Sequence, residues 1–209
     1  MTGRTLFLIL LTIYLFNETS AKDMTIQNND TSRPDTATFG TGCFWCSEAI
    51  FSMLDGVLIV TPGYSGGHEP NPDYELVCSG TTDYAEVVQI TYDPEKISFR
   101  ELLEIFWKTH DPTTLNRQGA DVGKQYRSVI FYHNESQKKE AEYYKDQLEQ
   151  SKIWKRPIVT EISPFEKFYP AEDYHKDYYR NNPANAYCNF VITPKVEKFK
   201  KIFSGKLAK

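Results

Sequence analysis

The sequence predicts an α+β fold, and three observations predict it. Segments of period 2 and period 3.6 alternate in the order strand, helix, strand, strand, helix, strand, followed by a further helix and strand. A long Gly/Pro-rich stretch, Tyr64 to Asp83, separates the second strand from the third, where a doubly wound sheet would need a crossover helix. The 209 residues hold no internal repeat and suit one domain of ordinary size. Together these give a split β-α-β, ferredoxin-like core with long loops and an irregular C-terminal tail.

The elements follow in order. Ala37 to Thr41 is a strand ending at Gly42. The helix after it carries Cys46, Ala49, Ile50, Met53 and Leu54 at i, i+3, i+4, i+7 and i+8, a core-facing stripe, and Gly56 breaks it. Val57 to Val60 is a strand running to a Pro-Gly turn, and the stretch from Tyr64 to Asp83 is read as a structureless loop of functional length. Tyr84 to Tyr92 is a strand with Tyr84, Glu86, Val88, Ile90 and Tyr92 on one face, so Glu86 is a carboxylate on an apolar face. Ser98 and Glu101 form a capping box that opens a helix with Phe99, Leu102, Leu103, Phe106 and His110 on one side. Asp111 to Gln125 is a second irregular loop, and Tyr126 to Tyr132 a strand. Asn134 caps a helix ending near Gln150, and Arg156 to Ile162 is the next strand. Beyond Ser163 little period survives until the charged tail after Pro194.

Four segments result. Residues 1–21 read as a secretory signal peptide: Arg4, then the apolar run Thr5 to Phe16, then Thr19-Ser20-Ala21 at the cleavage site. The run is short for a membrane span, so no stable membrane insertion is expected after cleavage, with an uncleaved anchor as the alternative. Residues 22–36 are a polar, flexible linker, 37–200 the catalytic domain and 201–209 a charged tail. The formal net charge of −4 gives no reason to expect nucleic acid or an anionic membrane as a partner.

Gly42-Cys43-Phe44-Trp45-Cys46 carries the chemistry. Cys43 at a helix N-terminus meets free N–H groups and the positive end of the dipole, which predicts a lowered thiol pKa. Phe44 and Trp45 add an apolar wall suited to a small, sulfur-containing substrate. Cys43, Cys46, Cys78 and Cys188 allow three disulfide pairings if export makes them structural bridges, but a chain this long needs none to hold its core. His68, His110, His133 and His175 lack paired ligand spacing, so no metal is expected.

Several further strings extend the pattern: Gly63-Tyr64-Ser65-Gly66-Gly67, Asn71 to Gly80, Ala85-Glu86-Val87, His110-Asp111-Pro112-Thr113, Asp121 to Ser128, and Ala171-Glu172-Asp173-Tyr174-His175. With Gly42-Cys43-Phe44-Trp45 they resemble the A-type peptide methionine sulfoxide reductases over Phe39 to about Val191. The resemblance implies reduction of methionine-S-sulfoxide, free or in proteins, through a Cys43 sulfenic acid, without cofactor, with regeneration by thioredoxin or a thioredoxin-like donor. It implies Glu86 as the acid, Tyr74 and Tyr126 as hydroxyl donors to the sulfoxide oxygen, Asp121 as a polar organiser, and Phe44 and Trp45 as the cup for the S-methyl group. It makes Cys188 the resolving cysteine, with Cys46, where the family most often has glycine, as the alternative and Cys78 structural. A monomer is expected. The competing reading is a thiol-disulfide oxidoreductase using Cys43 and Cys46.

Overall fold

A computed structural model describes residues 33–208. The predicted signal peptide, 1–21, and most of the predicted linker, 22–36, lie outside the described residues. Among those described, the strands are β1 (Asp35–Thr41), β2 (Val57–Ser65), β3 (Ala85–Tyr92), β4 (Arg117–Gln118), β5 (Asp121–Val122), β6 (Ser128–Tyr132), β7 (Glu161–Pro164) and β8 (Phe168–Pro170). The α-helices are α1 (Phe44–Phe51), α2 (Tyr74–Cys78), α3 (Phe99–Thr109), α4 (Glu135–Ser151), α5 (Tyr178–Asn181) and α6 (Thr193–Ile202).

The main sheet has the order β7-β6-β1-β3-β2-β8. Its central four strands, β6-β1-β3-β2, pair antiparallel throughout, which is the ferredoxin-like arrangement the element order predicts. β7 extends one edge parallel to β6 after the α4 crossover, and β8 pairs antiparallel on the other edge. One face of the sheet buries the large core, in which Phe39, Phe51, Phe99 and Phe106 meet from β1, α1 and α3. The opposite face carries a small cluster of Ala85, Val87, Val129 and Phe131 beneath Phe165 and Phe168. β3 is therefore apolar on both faces, and Glu86 interrupts it on the side of the large core.

The local signals at α3 and α4 hold. Ser98 and Glu101 cap α3 reciprocally, and the Asn134 side chain accepts from Gln137 N at 3.0 Å. Elsewhere the structure departs from the sequence reading. β2 does not turn at Pro62-Gly63 but runs through them to Ser65, because β8 pairs against this stretch. A Cβ on Gly63 would stand 2.4 Å from the Tyr169 carbonyl oxygen, so the glycine permits close strand approach rather than a turn. The loop after Tyr64 contains α2, capped by Asp73, whose carboxylate accepts from Leu76 N at 2.8 Å. The loop after Asp111 contains the short β4–β5 hairpin. Residues 156–160 are not strand: Val159 N donates to the Pro112 carbonyl and Ile158 N to the Glu149 carboxylate, so loop and helix take the bonds a ladder would have used.

The segment 201–209 is not a free charged tail over its described part. Phe203 is buried against Phe199, and the Lys206 carbonyl accepts from Asp55 N at 2.9 Å. Leu54 and Leu207 form a β-bridge, and Ala208 N donates to Met53 O. Charge on the lysines around it hides one apolar anchor that periodicity could not resolve. Cys188 likewise does not sit in an irregular, movable tail. It begins a π-helical turn, Cys188–Ile192, that runs directly into α6, and its side chain is wholly buried.

Candidate active site

Strand β1 delivers the chain to Gly42, whose φ of +95° and contact with Gln118, where a Cβ would stand 2.6 Å from the Gln118 Cβ, leave room only for glycine. Cys43 follows as the N-cap of α1, and the first free N–H of that helix, on Phe44, donates to Oε2 of Glu86 at 3.0 Å. Glu86 is reached from the neighbouring strand, opposite Tyr64 in the β2–β3 register. It is 1 % exposed, and burial drives its pKa up to about 8 against the single Phe44 N–H that lowers it. Asp121 and Cys46 raise it further, so Glu86 is a carboxylic acid below that pH.

Around this acid stand three phenols. Burial and then the nearby Glu86 and Cys78 hold Tyr126 above the ordinary tyrosine range, and Tyr74 is raised by burial, Cys78 and Glu86. Both therefore stay hydroxyl donors. Both also hydrogen-bond the Cys78 sulfur, which gives that half-buried thiol a place at the rim of the site. The third phenol, Tyr187, donates to Asp121 Oδ2 at 2.7 Å and is in hydrogen-bonding contact with Cys43. Asp121, expected as a polar organiser, holds the Tyr187 hydroxyl. Tyr187 has no role in the sequence analysis and is found only by the fold.

The aromatic cup forms as the string suggested, but its supports come from the far end of the chain. Trp45 stacks on Tyr178 with centroids 3.7 Å apart and planes 5° from parallel, and stands 6.4 Å from the Tyr74 ring. The Trp45 indole N–H donates to Nδ1 of His175 at 3.0 Å. Nδ1 must therefore be the acceptor, which fixes the Nε2–H tautomer and keeps His175 neutral, although its Nε2 lies 3.5 Å from Glu172. Its pKa is lowered, first by burial, in agreement. Glu172 accepts from the Tyr74 backbone N–H at 2.8 Å and the Tyr64 hydroxyl at 3.0 Å. One carboxylate thereby fixes both β2 and α2 against the cup. Glu48 of α1 does the same for α5, accepting from Asp177 N at 2.9 Å.

The sulfurs are arranged differently from the sequence expectation. Cys43 is not held low by the helix end. Burial, the hydrogen bond with Cys46 and the charge of Glu86 push its thiol well above the ordinary value, against Tyr187 alone. Cys46 is the lowered sulfur, at about 7, because Cys43 donates to it and Lys195 lies beside it. Cys43 and Cys46, one helical turn apart, thus set each other's protonation in opposite directions. Cys188 has burial and then the charge of Cys46 as the causes of its raised pKa. All four cysteines are free.

A buried nucleophilic sulfur, a protonated carboxyl and phenolic donors around one apolar cup suit reduction of a small, polar S–O group. The family model for peptide methionine sulfoxide reductase matches residues 35–207. The chain belongs to that family. Peptide methionine sulfoxide reductase MsrA of Saccharolobus solfataricus is 59 % identical over 173 residues, covering 83 % of this chain and 97 % of that protein. The structure of Mxr1 from Saccharomyces cerevisiae in reduced form superposes with a TM-score of 0.70 at 38 % identity, covering 79 % of this chain and 94 % of that one. Mxr1 in complex with Trx2 aligns with a TM-score of 0.51 at 29 % identity, over 74 % and 91 % of the two chains. The sequence reading names Cys43, Glu86, Tyr74, Tyr126, Asp121, Phe44 and Trp45, which the fold brings together. It leaves Glu172, His175, Tyr178 and Tyr187 to be found by structure, since only folding brings residues 172–187 against residues 43–74.

Proposed function

We propose that the chain reduces the S epimer of methionine sulfoxide to methionine, with Cys43 as nucleophile and Glu86 as acid. The observation that carries this is a buried, protonated carboxyl bonded to the first N–H of the helix that Cys43 caps. The substrate methyl group packs on Phe44 and Trp45, and the sulfoxide oxygen takes hydrogen bonds from Tyr74 and Tyr126. Cys43 gives its proton to the Cys46 thiolate as its sulfur attacks the sulfoxide sulfur, and Glu86 protonates the oxygen. The oxygen passes to Cys43, methionine leaves, and Cys43 is a sulfenic acid.

The sulfenic acid then closes on Cys46, the sulfur one helical turn away that already interacts with it, and not first on Cys188. The Cys43–Cys46 bond forms as the S–O bond breaks, and the oxygen leaves as water. Two protons, from the Cys43 thiol and Glu86, are consumed and two thiols are oxidised, which balances a two-electron reduction. Cys188, a buried thiol whose pKa feels the charge of Cys46, accepts the disulfide next by exchange. A thioredoxin-like dithiol is the reductant this requires, in keeping with the Mxr1–Trx2 complex.

The experiment is turnover of the two free epimers with dithiothreitol. The S epimer is expected to yield methionine and the R epimer none, because the cup and the oxygen donors fix the methyl and oxygen positions on one hand only. Equal rates on both would remove the stereochemical claim. The runner-up, a thiol-disulfide oxidoreductase using Cys43 and Cys46, gains from the interaction of the two sulfurs but gives Glu86 and the aromatic cup no task. Insulin reduction without sulfoxide turnover would favour it.

We further propose that residues 1–21 export the chain, which acts as a monomer after cleavage, on the strength of the apolar run and the Thr19-Ser20-Ala21 site. Mass spectrometry of the protein from its native source is expected to find a terminus at Lys22. An intact Met1 or Thr2 terminus would overturn this.

A further inference from the structure

The first turn of α6 sets a lysine against the sulfur of Cys46. Pro194 opens the helix and Val196 and Phe199 anchor it in the core, which turns the half-buried Lys195 toward α1. Its Nζ donates to the Cys46 sulfur at 3.6 Å. We propose that Lys195 is the positioning residue that holds Cys46 as a thiolate, so that Cys46 is the sulfur that closes on the Cys43 sulfenic acid. The proposal rests on the reading of Cys46 as first resolver.

The surroundings of Cys46 make a cation necessary. A charged sulfur buried in the hydrophobic core would otherwise be driven to the neutral thiol. The other ionisable groups that face it oppose its charge or are neutral: Asp121 from β5 raises its pKa, Glu86 from β3 repels it when ionised, and Tyr187 and Cys188 are acids that its charge itself raises. Cys43 helps only as a hydrogen-bond donor through its S–H, and that S–H is gone once Cys43 becomes a sulfenic acid. From that moment Lys195 is the group left to favour the Cys46 thiolate. The lysine itself is not sealed in. It lines a cavity of about 920 Å³ with Trp107, His110, Gln118 and Phe199, which lets the ammonium touch sulfur at its tip without losing all its hydration.

The step balances without an added reactant. The Cys46 thiolate attacks the Cys43 sulfur, the S–S bond forms, and the Cys43 S–O bond breaks. The departing oxygen carries its own proton and takes the one Cys46 received from Cys43, leaving as water.

The test compares Lys195→Met with Lys195→Arg in reduced full-length protein. The ultraviolet thiolate absorbance is titrated with pH, with Cys46→Ser as the subtraction. Disulfide closure is followed after one equivalent of free methionine-S-sulfoxide by trapping the sulfenic acid with dimedone. Lys195→Met is expected to raise the Cys46 midpoint by about one pH unit, which is about tenfold less thiolate at pH 7. Closure should slow by about the same factor, dimedone should capture Cys43, and raising the pH should restore the rate. Lys195→Arg keeps a cation and should stay near the parent in both readouts. An unchanged midpoint and an unchanged closure rate in Lys195→Met would overturn the role of Lys195. A shifted midpoint with a Cys43–Cys188 disulfide formed first would instead overturn the reading of Cys46 beneath it.

Discussion

Replacing Glu86 by alanine is expected to slow methionine release in a single turnover by about 10²- to 10⁴-fold while the protein stays folded. The side chain is buried with one hydrogen bond, to Phe44 N, and its pKa lies near 8 because burial disfavours the carboxylate. Removing it takes away the proton that the leaving oxygen requires, and removes a group whose ionised form would destabilise the core. Glu86→Gln still donates a hydrogen bond, so it should lose less. The pH dependence has a definite sign. Glu86 is protonated below about 8, so the rate falls as pH rises through that value, and Glu86→Gln lacks that limb. Cys46 must be ionised, so the rate rises as pH passes about 7. The parent should show a narrow bell between those values, with limbs that belong to the coupled site and not to one residue each. Stability carries the same sign: the folded form holds its Glu86 proton more tightly than the unfolded chain, so this contribution is present below about 4.5, the ordinary value, and lost as pH rises through about 8. A Glu86→Ala protein within about threefold of the parent, a loss far below that of a removed general acid, would take Glu86 out of the mechanism.

Cys46→Ser is expected to yield at most one methionine per protein and then stop when thioredoxin is the reductant, a loss of recycling of about 100-fold or more, the scale of a removed nucleophile and its base. The first turnover should also slow, because Cys46 is the base that takes the Cys43 proton. Dithiothreitol, small enough to reach the sulfenic acid directly, should rescue part of the activity. Cys188→Ser should instead complete the first disulfide at the parental rate and fail at the exchange that follows. Rapid-quench methionine release and steady-state rates with each reductant distinguish the two. Parental recycling in Cys46→Ser would contradict the order of the sulfurs.

The sheet was legible because its strands state their own period. The Glu86 face of β3, the Ser98 box and the Asn134 cap are local patterns, and the four central strands assembled as those patterns imply. What was not legible is long-range. β8 is three residues long and exists because Gly63 lets a second strand approach β2. Its pairing turns the Pro62-Gly63 segment, which reads locally as a turn, into strand. The core-facing stripe placed Cys46 correctly in the interior, yet only packing of α6 on α1 puts a lysine on its sulfur. The same holds for Cys43, where the helix N-terminus argued for a low pKa and burial beside Glu86 decided otherwise. His175 and Glu172 sit within a recognised string, but their work, holding Trp45 and Tyr74, appears only once residues 130 and 98 positions apart meet.

The most direct test is peptide mapping of the reduced parent protein, quenched at successive times after one equivalent of methionine-S-sulfoxide without reductant. The account predicts one methionine per protein, a Cys43–Cys46 disulfide as the first oxidised species, and a Cys46–Cys188 disulfide only later. Methionine formed with Cys43 unoxidised, or a Cys43–Cys188 disulfide appearing first with Cys46 still free, would contradict it.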